Sequence, residues 1–210
     1  GTSLSRIHEF HTAGVRYITL CHSSDNAVCD SCAGNGRWGG LSPFGREVVA
    51  EMNRTGMLVD VSHVSDNTFY DVIDVSTKPV VATHSCCRAL ADHPRNMTDD
   101  MIRTLAAAGG VLQVNFYPVF LSSNPAPSYK VIADHIDHIV SLVGIEHVGI
   151  GSDFDGIEVT PVGMDNISYM PLLFEELRHR GYSETDLSKI ASDNFFRVLN
   201  DSCCSGALQR

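Results

Sequence analysis

The chain predicts an α/β fold on a parallel sheet, of the kind that closes into a barrel. Five short apolar runs, each about as long as a buried strand, lead into a polar side chain. Arg16 to Cys21 runs into His22, Met57 to Ser62 into His63, Pro79 to Thr83 into His84, Val111 to Val114 into Asn115, and Val148 to Ser152 into Asp153. Helix-like stretches separate the runs, and such alternation demands parallel strands. A parallel barrel carries its reactive groups at the C-terminal ends of successive strands, where they converge on one mouth. Three His and one Asp delivered this way are the side chains of a hydrolytic metal site.

The elements follow in order. Leu4, Ile7 and Phe10 sit at helical spacing and predict a helix over Ser3 to Ala13. The first strand, Arg16 to Cys21, gives way to a polar, Gly-rich stretch, Ser23 to Gly40, which leaves the strand end and is expected to drape over the mouth. Ser42-Pro43 opens a helix that reaches about Arg54, and Gly56 ends it. Strand two ends at His63, and Ser65 caps a helix over Asp66 to Asp74. Strand three starts at Pro79 and ends at His84. Thr98-Asp99-Asp100 caps a helix to Ala108, stopped by Gly109-Gly110. Strand four ends near Asn115, and the loop Tyr117 to Pro127 holds three Pro. A helix over Ser128 to about Val143, strand five over His147 to Ser152, and helices over Met170 to Arg180 and Ser183 to about Leu199 complete the chain. Five strands do not close an eight-stranded barrel, so the sheet is either open and doubly wound or part of a larger barrel. No Gly-rich phosphate loop follows any strand, which removes support for the nucleotide-binding version.

Composition bounds the function. The 210 residues are 43% hydrophobic and 19% charged, enough for one substantial core, so residues 1–210 are expected to form a single domain. A formal net charge of −10 argues against a nucleic-acid surface. No apolar run reaches the roughly 18 residues of a membrane span. No signal peptide is read before the first helix, although a chain starting at Gly1 without Met is compatible with trimming. No anchor signal is read at Leu208-Gln209-Arg210. Seven Cys, with Cys86-Cys87 and Cys203-Cys204 vicinal, do not read as a disulfide framework, though a bridge or two stays open. Cys29-Asp30-Ser31-Cys32 has the spacing of a zinc knuckle or redox pair, but no second such motif accompanies it. Free loop thiols of a reducing compartment are the plainer reading.

The candidate site residues each have a bland alternative. One His at a strand end is often a hydrogen-bonded core residue; His63 and His84 on successive strands, about 4.8 Å apart, can reach one ion together. Asp153 suits proton transfer beside a metal, against a role as a turn aspartate, which fits Asp155-Gly156 better. His22 reads as a ligand, as a donor to a developing oxyanion or as packing. Arg95 can hold a carboxylate bidentately or be a solvated loop residue. Asp134-His135 and Asp137-His138 fall on a helix away from the mouth and read as structural.

At these residues the chain resembles the membrane (renal) dipeptidase family of zinc peptidases, within the amidohydrolase-like barrel superfamily. The matching stretches are Tyr17-Ile18-Thr19-Leu20-Cys21-His22, Gly40-Leu41-Ser42-Pro43-Phe44-Gly45, Val59-Asp60-Val61-Ser62-His63-Val64-Ser65, Thr83-His84-Ser85, Arg95-Asn96, Val114-Asn115-Phe116-Tyr117, Asp134-His135-Ile136-Asp137-His138-Ile139 and Gly151-Ser152-Asp153-Phe154-Asp155-Gly156. The resemblance implies a (β/α)8 TIM-like metallohydrolase barrel, represented here by strands four to eight with their helices, and a two-zinc site. By this match His63 and His84 bind the second zinc, Asp153 handles proton transfer, His22 contacts the substrate carbonyl oxygen, and Arg95 faces the substrate carboxylate. The implied reaction is hydrolysis of a dipeptide by a hydroxide bridging the metals. The His-x-Asp pair and the bridging Glu that hold the family's first zinc have no counterpart here, since Glu9 lies inside the first helix. At most one weakly held zinc is therefore expected in this chain, and these 210 residues alone are expected not to hydrolyse dipeptides; the activity that the resemblance implies is that of the full-length enzyme.

Two other functions stay open: another amide or lactam hydrolase of the amidohydrolase type, and a non-catalytic piece that associates through an open sheet edge with another chain or its own copy, as a homodimer. The unpaired Cys lean towards the cytoplasm, while the resemblance leaves an extracytoplasmic site open.

Overall fold

A computed structural model describes residues 2–203. Cys204 and the stretch 208–210 lie outside them. The helices are α1 (Ser5–Thr12), α2 (Pro43–Thr55), α3 (Asp66–Val75), α4 (Asp99–Ala107), α5 (Pro118–Leu121), α6 (Lys130–Val143), α7 (Met170–His179), α8 (Glu184–Ser188) and α9 (Asn194–Cys203). The strands are β1 (Tyr17–Thr19), β2 (Leu58–Asp60), β3 (Val81–Ser85), β4 (Val111–Val114) and β5 (Val148–Ile150), all parallel, in spatial order β1-β2-β3-β4-β5. A doubly wound sheet reverses its strand order at a switch point. This one never does, so it is a stretch of barrel wall.

The helix starts follow their caps. Ser42 Oγ accepts from the Gly45 N–H, Ser65 Oγ from Thr68 N–H, and Thr98 Oγ1 from Met101 N–H. Ser183 and Asp186 form a reciprocal capping box at α8. α2 ends where Gly56 turns left-handed at φ 78°, a conformation that costs a side-chain-bearing residue more.

Three local expectations are corrected. β2 stops at Asp60 and β5 at Ile150, each three residues short of the expected site residue. The reason lies in the backbone: His63 (φ 70°) and Asp153 (φ 64°) are the two non-glycine residues with positive φ among those described, and a left-handed residue cannot extend a strand. The Pro-rich loop contains the short helix α5, opened by Pro118 at its first position. The last expected helix is instead α8, a π-helical segment Lys189–Asp193 and α9, which runs on to Cys203. Asn194 anchors this break by donating to the Ile145 and Val148 carbonyls.

The two faces of the sheet are covered differently. Val59, Ala82, Leu112 and Val148 belong to the large core shared with the outer helices. On the opposite face Leu58, Val81 and Val111 pack against Val198 of α9, flanked by Phe195 and Leu199. This inner face also carries Thr19, Asp60 and Thr83 towards the mouth.

The α6 pairs are structural, as expected. Arg180 Nη1 donates to Asp134 and Asp137, and His138 Nε2 lies 2.8 Å from Asp99. His135 is fully buried; its Nδ1 accepts from the Cys87 N–H, so its Nε2 donates to the Leu121 carbonyl. The bond that Nδ1 accepts needs the neutral ring, and burial holds the pKa down to about 4 against the opposing pull of the Leu121 carbonyl. Unfolded His titrates near 6.5. Between these values the unfolded chain binds a proton that the native ring refuses, so stability falls as pH drops from about 6.5 towards 4, by up to about 1.4 kcal/mol per pH unit for this group. Urea midpoints across that window should fall, and His135→Gln should flatten the dependence by up to that slope; an unchanged slope would refute the assignment.

Candidate active site

All five residues singled out in the sequence line one cavity of about 630 Å³ at the C-terminal ends of the strands. His63 follows β2 and His84 lies in β3, with their Nε2 atoms 2.9 Å apart. Burial, with the Arg95 guanidinium and the two neighbouring imidazoles, pushes the His63 pKa down to about 3. Burial also lowers that of His84, against the opposing pull of Asp60. Both rings are therefore neutral near pH 7, the form in which imidazole ligates metals.

The left-handed turn at His63 is clamped from the long loop. The His63 carbonyl accepts from the Cys32 N–H at 2.8 Å and from Ser31 Oγ at 3.3 Å. That loop is ordered by two carboxylates: Asp25 accepts from the backbone of Ser31 and Asn35, and Asp30 from that of Trp38 and Gly40. As expected it drapes over the mouth, bringing Ser23 and Asn26 to the cavity. Its Cys29 and Cys32 are free thiols, and Cys29 is kept protonated chiefly by a hydrogen bond with Cys21, not with Cys32.

Arg95 is 9% exposed. Its Nη2 donates to the His84 carbonyl at 2.9 Å and its Nη1 contacts Ser85 Oγ at 3.3 Å, and among the described residues no carboxylate pairs with it. An almost buried guanidinium without a counter-ion, facing a cavity, is a site for an anion. Asp153 enters on its left-handed turn, and Asn115 Nδ2 donates to its Oδ2 at 3.0 Å. Gly156 leaves room for that carboxylate: a Cβ there would lie 2.3 Å from Asp153 Oδ1. His22 is exposed, stacked on His63 with ring centres 4.3 Å apart.

The sequence profile of the membrane dipeptidase family, peptidase family M19, matches residues 1–205. The chain belongs to the membrane dipeptidase family. An uncharacterised dipeptidase of Schizosaccharomyces pombe is 43% identical over 199 residues, covering 93% of this chain and 49% of its own. The dipeptidase aclJ of Aspergillus oryzae is 41% identical over 204 residues, covering 96% and 48%. The chain thus spans about half the length of the curated relatives it matches. Among solved structures, a metallopeptidase from Rhodobacter sphaeroides bound to a phosphinate mimic of the dipeptide L-Ala-D-Ala superposes with TM-score 0.90 at 30% identity, over 96% of this chain and 60% of that one. A probable dipeptidase from Pseudomonas aeruginosa gives TM-score 0.93 at 27% identity, over 97% and 66%.

Membership of this metallopeptidase family implies a metal cofactor. Two converging neutral imidazoles fit part of such a site. Among the described residues no group of three or more His, Cys, Asp or Glu side chains is set to hold an ion, so the pair is an incomplete ligand set. The structure also places at or behind this cavity residues that strand-end reasoning did not single out. Tyr117 and Phe120 wall the cavity, their rings 4.9 Å apart, with the Arg95 guanidinium carbon 5.2 Å from the Phe120 ring centre. Proline at position 118, which opens α5 between them, was the available signal. Asp60 and Thr83 sit behind the imidazoles, visible in sequence only as polar residues inside apolar runs.

Proposed function

We propose that this cavity binds dipeptides and hydrolyses their peptide bond with zinc held by His63 and His84. The observation that supports the reading is the shared cavity of two converging imidazole Nε2 atoms and one almost buried guanidinium that, among the described residues, no carboxylate pairs directly. A dipeptide offers one amide for the first and a free carboxylate for the second, and a cavity of about 630 Å³ lies within the size range of small-molecule sites. Zinc, when bound, supplies Lewis-acid polarisation and acidifies the attacking water. Arg95 grips the terminal carboxylate and fixes the scissile bond relative to the histidines. Asp153, oriented by Asn115, takes the proton of the attacking water and returns it to the leaving amine. His22, at the exposed rim, donates to the carbonyl oxygen as charge builds on it.

In a full-length enzyme carrying these residues, chelation should abolish dipeptide turnover and added zinc should restore it, whereas the 210 residues alone should show none. Elemental mass spectrometry should find at most one zinc per 210-residue chain, and His63→Ala or His84→Ala should reduce that towards none. Unchanged turnover after verified zinc removal would overturn the reading. Preference for N-acyl amino acids over dipeptides would instead favour another amidohydrolase-type activity.

A further inference from the structure

We infer that Asp60 and Thr83 are positioning residues that lock His84 as its Nδ1–H tautomer, so that its Nε2 lone pair faces the cavity ready for a metal ion. The purpose of this arrangement rests on the zinc reading above; its geometry does not.

Asp60 ends β2 with no exposed surface. Four donors converge on it. Thr19 Oγ1 and Thr83 Oγ1 each reach Oδ2 at 2.6 Å, and the backbone N–H groups of Ser62 and Thr83 reach Oδ1 at 2.9 and 3.0 Å. A carboxylate has about four lone-pair sites and no proton to give, so its capacity is filled. The single hydroxyl proton of Thr83 is therefore committed to Asp60. Thr83 Oγ1 also lies 2.7 Å from His84 Nδ1, and there it can only accept. The Ser62 hydroxyl, 3.3 Å away, fits the other lone pair of the same oxygen. His84 consequently carries its proton on Nδ1. A neutral imidazole has one N–H, which leaves Nε2 bare.

The neighbouring ring is arranged differently. His63 Nε2 lies 2.9 Å from His84 Nε2, and since the latter has no proton, the proton between them belongs to His63. For both rings to hold one metal ion, His63 would have to move its single proton from Nε2 to Nδ1, whereas His84 already stands in its ligating form. The two histidines are thus unequal: one is pre-set by a chain from β2 through β3, the other reorganises on binding. A partner on the far ring nitrogen is the usual means of orienting a metal-bound histidine. Here the partner is a threonine hydroxyl backed by a buried aspartate.

Thr83→Val removes the hydroxyl at nearly constant shape, and Thr83→Ser keeps it. In the intact zinc-free protein near pH 7, long-range proton–nitrogen NMR of the imidazoles reads the tautomers directly. The wild type and Thr83→Ser should show Nδ1–H at His84, and Thr83→Val should lose that preference. In chelator competition, zinc affinity should fall roughly 10–100-fold in Thr83→Val and recover in Thr83→Ser. A thermal melt reports whether each variant is folded; if Thr83→Val is not, the wild-type and serine spectra decide alone. Nε2–H at His84 in the wild type overturns the inference, as does folded Thr83→Val that binds zinc as tightly as the wild type. A wild type with the expected tautomer but no affinity for zinc supports the locking chain and defeats the zinc reading instead.

Discussion

In a full-length enzyme carrying these residues, Asp153→Asn should lower kcat for dipeptide hydrolysis by roughly 10²–10⁴-fold, the range for losing a general acid–base group, while leaving KM and the melting temperature close to those of the parent. The choice of asparagine matters. Asp153 sits at φ 64°, a conformation that asparagine tolerates better than most residues. The amide oxygen can still accept from Asn115 Nδ2, which now binds Asp153 Oδ2 at 3.0 Å. What disappears is the capacity to take and return a proton. A loss confined to kcat identifies proton transfer, whereas an equal fall in stability would mean that the residue mainly holds the turn. Activity within a factor of a few of the parent would remove Asp153 from the reaction.

Arg95→Met should reduce kcat/KM for free dipeptides by an amount corresponding to roughly 2–5 kcal/mol, the usual cost of removing one partner of a buried charge pair. The same substitution should lower the turnover of dipeptide amides, which lack the carboxylate, far less. That comparison is needed because Arg95 also donates to the His84 carbonyl and contacts Ser85 Oγ. Losing those contacts disturbs both substrates alike. The difference between substrates isolates the carboxylate contact, as in a double-mutant cycle. Equal losses on dipeptides and their amides would assign Arg95 to holding β3.

Much of this architecture is legible in the sequence because its causes are local. Ser42-Pro43, Ser65 and Thr98 announce helix starts through caps that act within three residues. Strand-end placement marks His22, His63, His84 and Asp153 because parallel strands deliver their C-terminal neighbours to one rim, and all four do line one cavity. Other features depend on distant partners. The left-handed backbone at His63 is clamped by Ser31 and Cys32 of the long loop, and nothing in Val61-Ser62-His63-Val64 signals it. Asp60 reads as one polar residue in an apolar run until Thr19 and Thr83 arrive from the strands on either side. The π-helical break before α9 depends on Asn194 meeting the carbonyls of Ile145 and Val148, 49 and 46 residues earlier.

The packing of α9 has a bearing on how the protein is made. Each strand pairs with the one before it, so the sheet can grow as the chain leaves the ribosome. Its inner face cannot be finished in the same way. Leu58, Val81 and Val111 are covered by Val198, with Phe195 and Leu199 beside it. At about 5–20 residues per second, the roughly 140 residues between Leu58 and Val198 take of order ten seconds or more to translate. Throughout that interval a nascent chain displays an apolar strip that its own sequence cannot yet hide, the surface on which a chaperone would settle and on which premature release would favour aggregation.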